Sequence, residues 1–427
     1  MPDALDLLAT TGQYRLLGHP TDLAGHIATL GPAPLPSDAS RGWRQGFIAA
    51  VEASGLSGRG GAGFPAAVKL ALAQSGGPGG SVVVNGMEGE PASDKDKLLL
   101  IRSPHLVLDG AQLLAAATEA RRVTLCVPEG RRRVVAALRR AIEERMAAGC
   151  APVPEVIAHP PDRFVAGEES ALARWVDSGR SLPFFRPDKG VALQIGRRGA
   201  LVHNAETLAH LAMIASTGPE AFRARGLPED PGTSLVTVSG AVELPGVVEI
   251  ERGTPLIDIV RRALPTGQPQ ALLVGGYGGA WVGPQDFATP YASFSLRAIG
   301  ATAGVGVAVV LGQNACGLAE SARIAHFLAG QSAGQCGPCV YGLPAIADDL
   351  TRLARGQADP GLLARLHRRL GEVDGRGACR HPDGAVNLVR SALHVFSADL
   401  AAHLDGVPCP HWNRPSQLRF PDSARAA

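Results

Sequence analysis

Between residues 81 and 148 the chain alternates short β-branched runs with segments of helical period, and this alternation limits the fold more than any other feature of the sequence. Residues 81–85 (SVVVN) read as a strand, 103–122 as a helix, 123–127 as a strand stopped by Pro128, and 131–148 as a long Arg-studded helix. Strands separated by helices return in parallel, so an α/β layer with a largely parallel sheet is expected. Ahead of it, the Pro-rich GPAPLPSD at 31–38 reads as an arm leading into a helix at 42–52. Behind it, the break GLPEDPGT at 226–233 opens a different style. Strands at 234–240, 246–250 and 271–274 enclose a helix at 254–263, the order of a small β-grasp-like module. From residue 319 to about 405, three or four helical segments with little strand signal read as a helical bundle.

Charge excludes some partners. Lys+Arg total 41 against 39 Asp+Glu, so the net charge of +2 gives no bulk attraction to nucleic acid or a membrane surface. Among the 41 basic residues only Lys69, Lys95, Lys97 and Lys189 are lysine, so the pI near 8.2 reflects a preference for Arg and not a basic patch. Seven cysteines in 427 residues are too sparse for a disulfide-stapled secreted protein. The start carries Asp3 and Asp6 where a signal peptide needs basic residues, and the longest apolar stretch, 301–311, is far short of the ~20 residues that span a bilayer. A multi-domain cytoplasmic protein without direct membrane insertion is expected.

Three motifs bear chemistry. In SGLSGRGGAGFP (54–65), five glycines let backbone N–H groups converge on an anion, with Arg59 and the rare Lys69 adding charge; a flexible turn is the bland reading. The spacing fits neither the Rossmann fingerprint GxGxxG followed by a suitable acidic residue nor a P-loop ending in GKS or GKT. NGMEGEP (85–91) follows the Val-rich strand directly, where carboxylates of an open α/β sheet can accept bonds from ribityl or ribose hydroxyls, and GEES (167–170) opens a helix that its Glu residues would in any case cap. Cys336-Gly-Pro-Cys339, with Cys379 forty residues on, can chelate a metal or cluster across two helices, or act as a redox pair like the thioredoxin tetrapeptide. Cys126 and Cys150 read as packing thiols, and Cys316 and Cys409 carry no assignment.

Taken in order, SGLSGRGGAGFP, NGMEGEP, GEESAL, HNAETL, TVSGAVELPGVVEI and SAGQCGPCVYG closely resemble the NADH-binding flavoprotein subunit of respiratory complex I NADH:quinone oxidoreductase and of the related NAD-dependent hydrogenases and formate dehydrogenases, from about residue 54 to 396. The resemblance implies an α/β fold whose segments are an N-terminal arm (1–53), a Rossmann-like FMN/NADH-binding domain (54–228), a soluble-ligand-binding β-grasp module (229–312) and a helical iron–sulfur-binding domain (313–427). It implies an FMN site at Gly58, Arg59, Gly60, Gly61, Lys69, Asn85, Glu88, Gly167, Glu168, Glu169, Asn204 and Thr207, and an NADH site at Phe64, Glu90 and Phe185. It also implies an iron–sulfur cluster on Cys336, Cys339 and Cys379.

Met87 stands where the family has Asp, Leu70-Ala71-Leu72 replaces its Trp-x-Phe, its Lys-Pro-Pro-Phe-Pro has no clean match in 182–190, and Ala333 replaces the first cysteine of SCGxCxPC. The cluster is therefore expected as [4Fe–4S] with a non-cysteine or open fourth position, or as [3Fe–4S]; His381, Cys409 and His411 are the candidates for the fourth place. The implied function is FMN-dependent electron transfer from NADH to an iron–sulfur acceptor, with a ferredoxin or a thioredoxin-like ferredoxin subunit as partner. The alternatives are a non-catalytic electron-transfer or assembly subunit, and a thiol or zinc protein built on CGPC.

Overall fold

The computed structural model describes residues 15–36, 40–75, 77–186 and 191–421; residues 1–14 of the arm and Lys189 lie outside them. The expected layer is a five-stranded sheet in the order Glu155–Ala158, Arg122–Cys126, Ser81–Asn85, Arg198–Asn204, Leu193–Ile195, the first four strands parallel and the last an antiparallel edge. All three valines of Ser81–Asn85 are buried, as a strand covered on both faces requires. From this strand the chain crosses to Arg122–Cys126 on one side, and later returns to its other side as Arg198–Asn204. Connections diverge between the two strands, and in open α/β sheets the ligand crevice lies outside the carboxyl ends at that switch point. Both strands end there on asparagine, in register: Asn85 is the partner of Asn204.

Helix Pro104–Thr118, buried along nearly its whole length, packs with Ala205–Thr217 over this sheet. Helix Lys95–Arg102 is absent from the sequence reading, because KDKLLLIR is too short to show a helical stripe and its apolar residues run together.

The second sheet has the order Ala280–Val282, Ala271–Val274, Val307–Leu311, Thr233–Gly240, Gly246–Glu251. Thr233–Gly240 and Gly246–Glu251 form the expected hairpin, Val307–Leu311 lies parallel to the first of them, and helix Leu256–Arg261 packs on this β-grasp core. Among the described residues the bundle has five α-helices and not three or four: Gly317–Gly330, Leu343–Ala354, Leu362–Val373, His381–Val395 and Ser397–Leu404. The last two are separated by Phe396 alone, so their sequence pattern runs together.

Trp281 fastens the second sheet to the bundle, its indole N–H donating to Ser321 Oγ at 2.8 Å. Residues 406–421 then strap back across the molecule. Gln417 Oε1 accepts from the Gly312 amide at 2.9 Å, the Tyr277 hydroxyl donates to the Arg419 carbonyl, and Arg419 pairs with Asp94 at 2.6 Å. No helix among the described residues is long and apolar enough to cross a membrane.

Candidate functional site

The helix Arg41–Ser54 is capped by Ser40, ends on Gly55 in the left-handed conformation, and hands the chain to the glycine loop. The loop closes on itself where the Gly58 amide donates to the Phe64 carbonyl at 2.9 Å, and is pinned to the first turn of helix Ala205–Thr217 where the Arg59 amide donates to Thr207 Oγ1 at 2.9 Å. Among the described residues the amides of Gly60, Gly61, Ala62 and Gly63 donate to no protein acceptor. A side chain at residue 60 would bring a Cβ to 3.0 Å from Asn204 Cβ, so only glycine lets the loop lie this close to the strand end.

Opposite the loop, three helix N-termini converge. Glu88 caps Lys95–Arg102: its carboxylate accepts from the amides of Asp96 and Lys97, both at 2.9 Å, and from the Ser93 hydroxyl at 2.6 Å. These bonds hold Glu88 at φ 38°, a left-handed conformation that costs a non-glycine residue about 1–3 kcal/mol. Glu168 caps Glu169–Ser178 by accepting from the amides of Ser170 and Ala171, both at 3.0 Å, all through Oε2. Asn204 caps Ala205–Thr217, taking the Glu206 amide at 3.0 Å. The end capped by the neutral Asn204 favours an anionic ligand, whereas Glu88 and Glu168 set carboxylates on the other two.

Arg59, Gly60, Asn85, Glu88, Glu90, Gly167, Glu168 and Asn204 line a single cavity of about 280 Å³ at the switch point. Beneath it lies a buried ionic triad: Lys95 Nζ is 2.8 Å from both the Asp96 and the Glu206 carboxylates, and Asn204 Nδ2 donates to Asp96 at 2.6 Å. Burial alone would raise the Glu206 pKa, but Lys95 overrides it and holds it at about 2. Burial raises Asp96 against the pull of Lys95, with the Glu88 charge adding to the rise. Glu90 is pushed up to about 7 by burial, despite accepting the amides of Tyr277 at 2.8 Å and Ala92 at 3.2 Å.

The other expected residues stand outside that wall. Gly58 and Gly61 face a second cavity of about 90 Å³ on the far side of the loop, which Arg59 also borders. The Arg59 guanidinium donates to Ser57 Oγ and the Pro231 carbonyl, and burial, then the neighbouring Arg252, lowers its pKa to about 10. Lys69 pairs with Glu169 at 2.7 Å and donates to the Val202 carbonyl, so the two expected residues neutralise each other behind the wall. Phe64 is half-buried and Phe185 is 68% exposed; neither lines the crevice. Lys95, Asp96 and Glu206 stand at the candidate site without having been singled out in the sequence. Their signal was present, since Lys95 and Lys97 are two of four lysines in an Arg-preferring chain.

In the bundle, Cys336, Cys339 and Cys379 surround a small cavity together with Ala333 and His381. Burial, then the charges of Cys379 and Cys336, pushes the Cys339 thiol up to about 12, which disfavours the reactive thiolate that a thioredoxin-like CGPC needs. Among the described residues the three thiols do not all lie within 4.8 Å of one another, so they are spread too widely for one ion, whereas the corners of a cluster are further apart. The His381 Nε2–H donates to the Leu328 carbonyl at 2.8 Å, leaving a buried Nδ1 with no partner among the described residues, and burial lowers the ring's pKa and favours the neutral form. That orphaned nitrogen and the three thiols fit an iron–sulfur cluster; the unpaired Gly60 amide and the helix N-terminus at Asn204 fit the phosphate of FMN. Cys409 is corrected as a fourth donor: it sits beside Cys316 at the opposite end of helix Gly317–Gly330, ~21 Å of helix away, and His411 follows it.

Two family models match the chain: the Nuo51 FMN-binding domain over residues 51–213, and the NADH-ubiquinone oxidoreductase-F iron-sulfur binding region over 313–403. The NADH-quinone oxidoreductase F subunit of Escherichia coli (strain K12) is 30% identical over 370 residues, 82% of this chain and 83% of that protein. The NADH-quinone oxidoreductase F 2 subunit of Rhizobium meliloti (strain 1021) is 29% identical over 381 residues, 85% of this chain and 90% of that protein. A crystal structure of an NAD+-reducing [NiFe]-hydrogenase in the H2-reduced state superposes with a TM-score of 0.78 at 31% identity, over 86% of this chain and 63% of that chain.

Proposed function

We propose a function from one premise: this chain belongs to the family of NADH-quinone oxidoreductase F subunits. It takes electrons from NADH and delivers them to an iron–sulfur acceptor, as one subunit of a multi-subunit oxidoreductase working in the cytoplasm. FMN, when bound, supplies the exchange between a two-electron hydride donor and one-electron carriers. Gly60, whose free amide borders the crevice, receives the phosphate, and the helix N-terminus capped by the neutral Asn204 side chain favours its charge. Glu168 Oε1, with Oε2 already spent on its cap, is the carboxylate oxygen left for a ligand hydroxyl. Gly58, Gly61, Lys69, Glu169 and Thr207 hold the loop and the wall in place. Glu90 at the rim, with Phe64 and Phe185, takes the nucleotide. Cys336, Cys339 and Cys379 hold the cluster, with His381 Nδ1 in the fourth place. The segments 1–53, 54–228, 229–312 and 313–427 divide this labour.

One observation bears most of the weight: Cys379 and His381 line both the crevice and the cysteine cavity, so the two cofactor sites share a wall. Beside Cys339 the side chain of Tyr341 is 78% exposed, which offers a partner, a ferredoxin or a thioredoxin-like ferredoxin subunit, a face close to the cluster. The test is anaerobic purification followed by flavin release, iron analysis and titration with NADH. Stoichiometric FMN that NADH bleaches supports the proposal, and correctly folded protein that takes up no flavin rejects it. A second reading, the non-catalytic electron-transfer or assembly subunit, is favoured by Phe64 and Phe185 standing off the crevice. It gains if saturating NADH leaves the flavin oxidised while a reduced ferredoxin bleaches it.

A further inference from the structure

At the end of the bundle away from the shared wall, three elements bring together side chains that the electron path does not use. Cys316 caps the start of Gly317–Gly330, His403 lies in the last helix Ser397–Leu404, and Cys409 follows the turn at Gly406. Cys316 Sγ, His403 Nε2 and Cys409 Sγ all lie within 4.8 Å of one another, with Cys316 Sγ and His403 Nε2 3.8 Å apart. Cys316 is 2% exposed and His403 is fully buried. We propose that Cys316, His403 and Cys409 hold a structural zinc ion, separate from the iron site and fixing the C-terminal strap to the bundle.

The orientation of the histidine points to a metal. His403 Nδ1–H donates to the Leu353 carbonyl at 3.2 Å, so the lone pair sits on Nε2, the atom that faces both thiols. Metal-bound histidines are held in this way, with the second ring nitrogen donating to a carbonyl. Zn–S bonds of ~2.3 Å and Zn–N bonds of ~2.0–2.1 Å place tetrahedral S and N ligands roughly 3.6 Å apart, so the 3.8 Å separation needs to close by only a few tenths of an ångström. The Cys409 amide, 3.0 Å from Nε2, gives up that lone pair when the ion enters. Both thiols lose their protons to solvent on binding, and the three side chains supply three of the four tetrahedral positions. Two sulfurs and one imidazole in a tetrahedral arrangement select zinc over magnesium or calcium, which take oxygen ligands.

The consequence is mechanical. Cys409 begins the segment that runs through Gln417 and Arg419 to Gly312 and Asp94, so an ion at its root fixes the strap that reaches the crevice loop. The test uses the whole protein, purified anaerobically under reducing conditions with zinc present and analysed for zinc, iron and flavin in one sample. About one zinc per chain is expected, falling at least fivefold in Cys409→Ser with iron and flavin unchanged, and retained in Cys339→Ser. Cobalt added to chelator-treated wild-type protein should give the thiolate charge-transfer absorption of a tetrahedral site with two sulfur ligands and one nitrogen, which tests the idea without any variant. Three results overturn it: no zinc and no such cobalt spectrum, zinc lost in Cys339→Ser but kept in Cys409→Ser, or a Cys316–Cys409 disulfide found by mass in the reduced preparation.

Discussion

In the crevice at the strand ends, the charged side chains already have protein partners: Glu88 and Glu168 cap helices, Lys95 holds Asp96 and Glu206, and Asn204 both caps and bridges. In the cysteine cavity next door, His381 Nδ1 has no partner among the described residues, and Ala333 lines the cavity with the three thiols. The crevice is a rigid mould that needs no ligand to hold its shape, since its electrostatics are arranged before anything enters. The cysteine cavity gains its order from what it binds. One wall, carrying Cys379 and His381, therefore separates a preorganised site from one completed by its contents.

Several substitutions test that contrast. The largest effects are all-or-none. Cys339→Ser should strip iron from the bundle while flavin stays bound, whereas Gly61→Trp should abolish flavin binding and leave iron in place. The second follows because Gly61 holds φ 111°, which a tryptophan strains to adopt, and its side chain would block the approach to the loop amides. Iron analysis and released-flavin fluorescence on each variant decide this, and loss of both cofactors in either one would dissolve the distinction.

Next comes Lys95→Met, which leaves the Asp96 and Glu206 carboxylates buried against each other. The apoprotein should lose about 3–5 kcal/mol in a urea titration. A cost below about 1 kcal/mol would mean that the mould is not held by this triad.

Glu90→Gln sharpens the picture through pH. The folded carboxyl titrates at about 7 against an ordinary 4.5, so its proton stabilises the native state fully below pH 4.5 and that contribution is lost as pH rises through 7. Relative to wild type the variant should therefore gain stability between pH 4.5 and 8, by at most ~3 kcal/mol, since each pH unit between the two values is worth about 1.36 kcal/mol. Denaturant midpoints at pH 5 and pH 8 measure this, and a difference that does not change with pH would refute the perturbed carboxyl. The smallest effect belongs to Arg419→Met at the partly exposed pair with Asp94, worth under ~1 kcal/mol and reduced further by salt.

The sequence made the crevice more legible than its support. The strand at 81–85, the loop at 54–65 and the acidic motifs were visible because short β-branched runs and glycine spacing are local properties. The same locality explains what was missed. Lys95 meets Glu206 across 111 positions of chain, and nothing near either residue announces the other. The bland reading that Glu168 caps a helix holds, and Glu88 caps one as well, each at a helix N-terminus that opens on the cavity. At the other end of the bundle, Cys316, His403 and Cys409 share no spacing motif, and only the folded return of the C-terminal strap brings them together.

The Lys95 triad also bears on how such a protein can change over generations. Replacing any one of the three charges strands the others in a buried space, while replacing all three with apolar residues of similar volume is often neutral. Intermediates on that route are the unstable forms, so a one-residue-at-a-time path away from Lys95, Asp96 and Glu206 crosses a valley of lost stability. A neighbouring surface pair such as Arg419 and Asp94 faces no such valley and is free to drift one residue at a time.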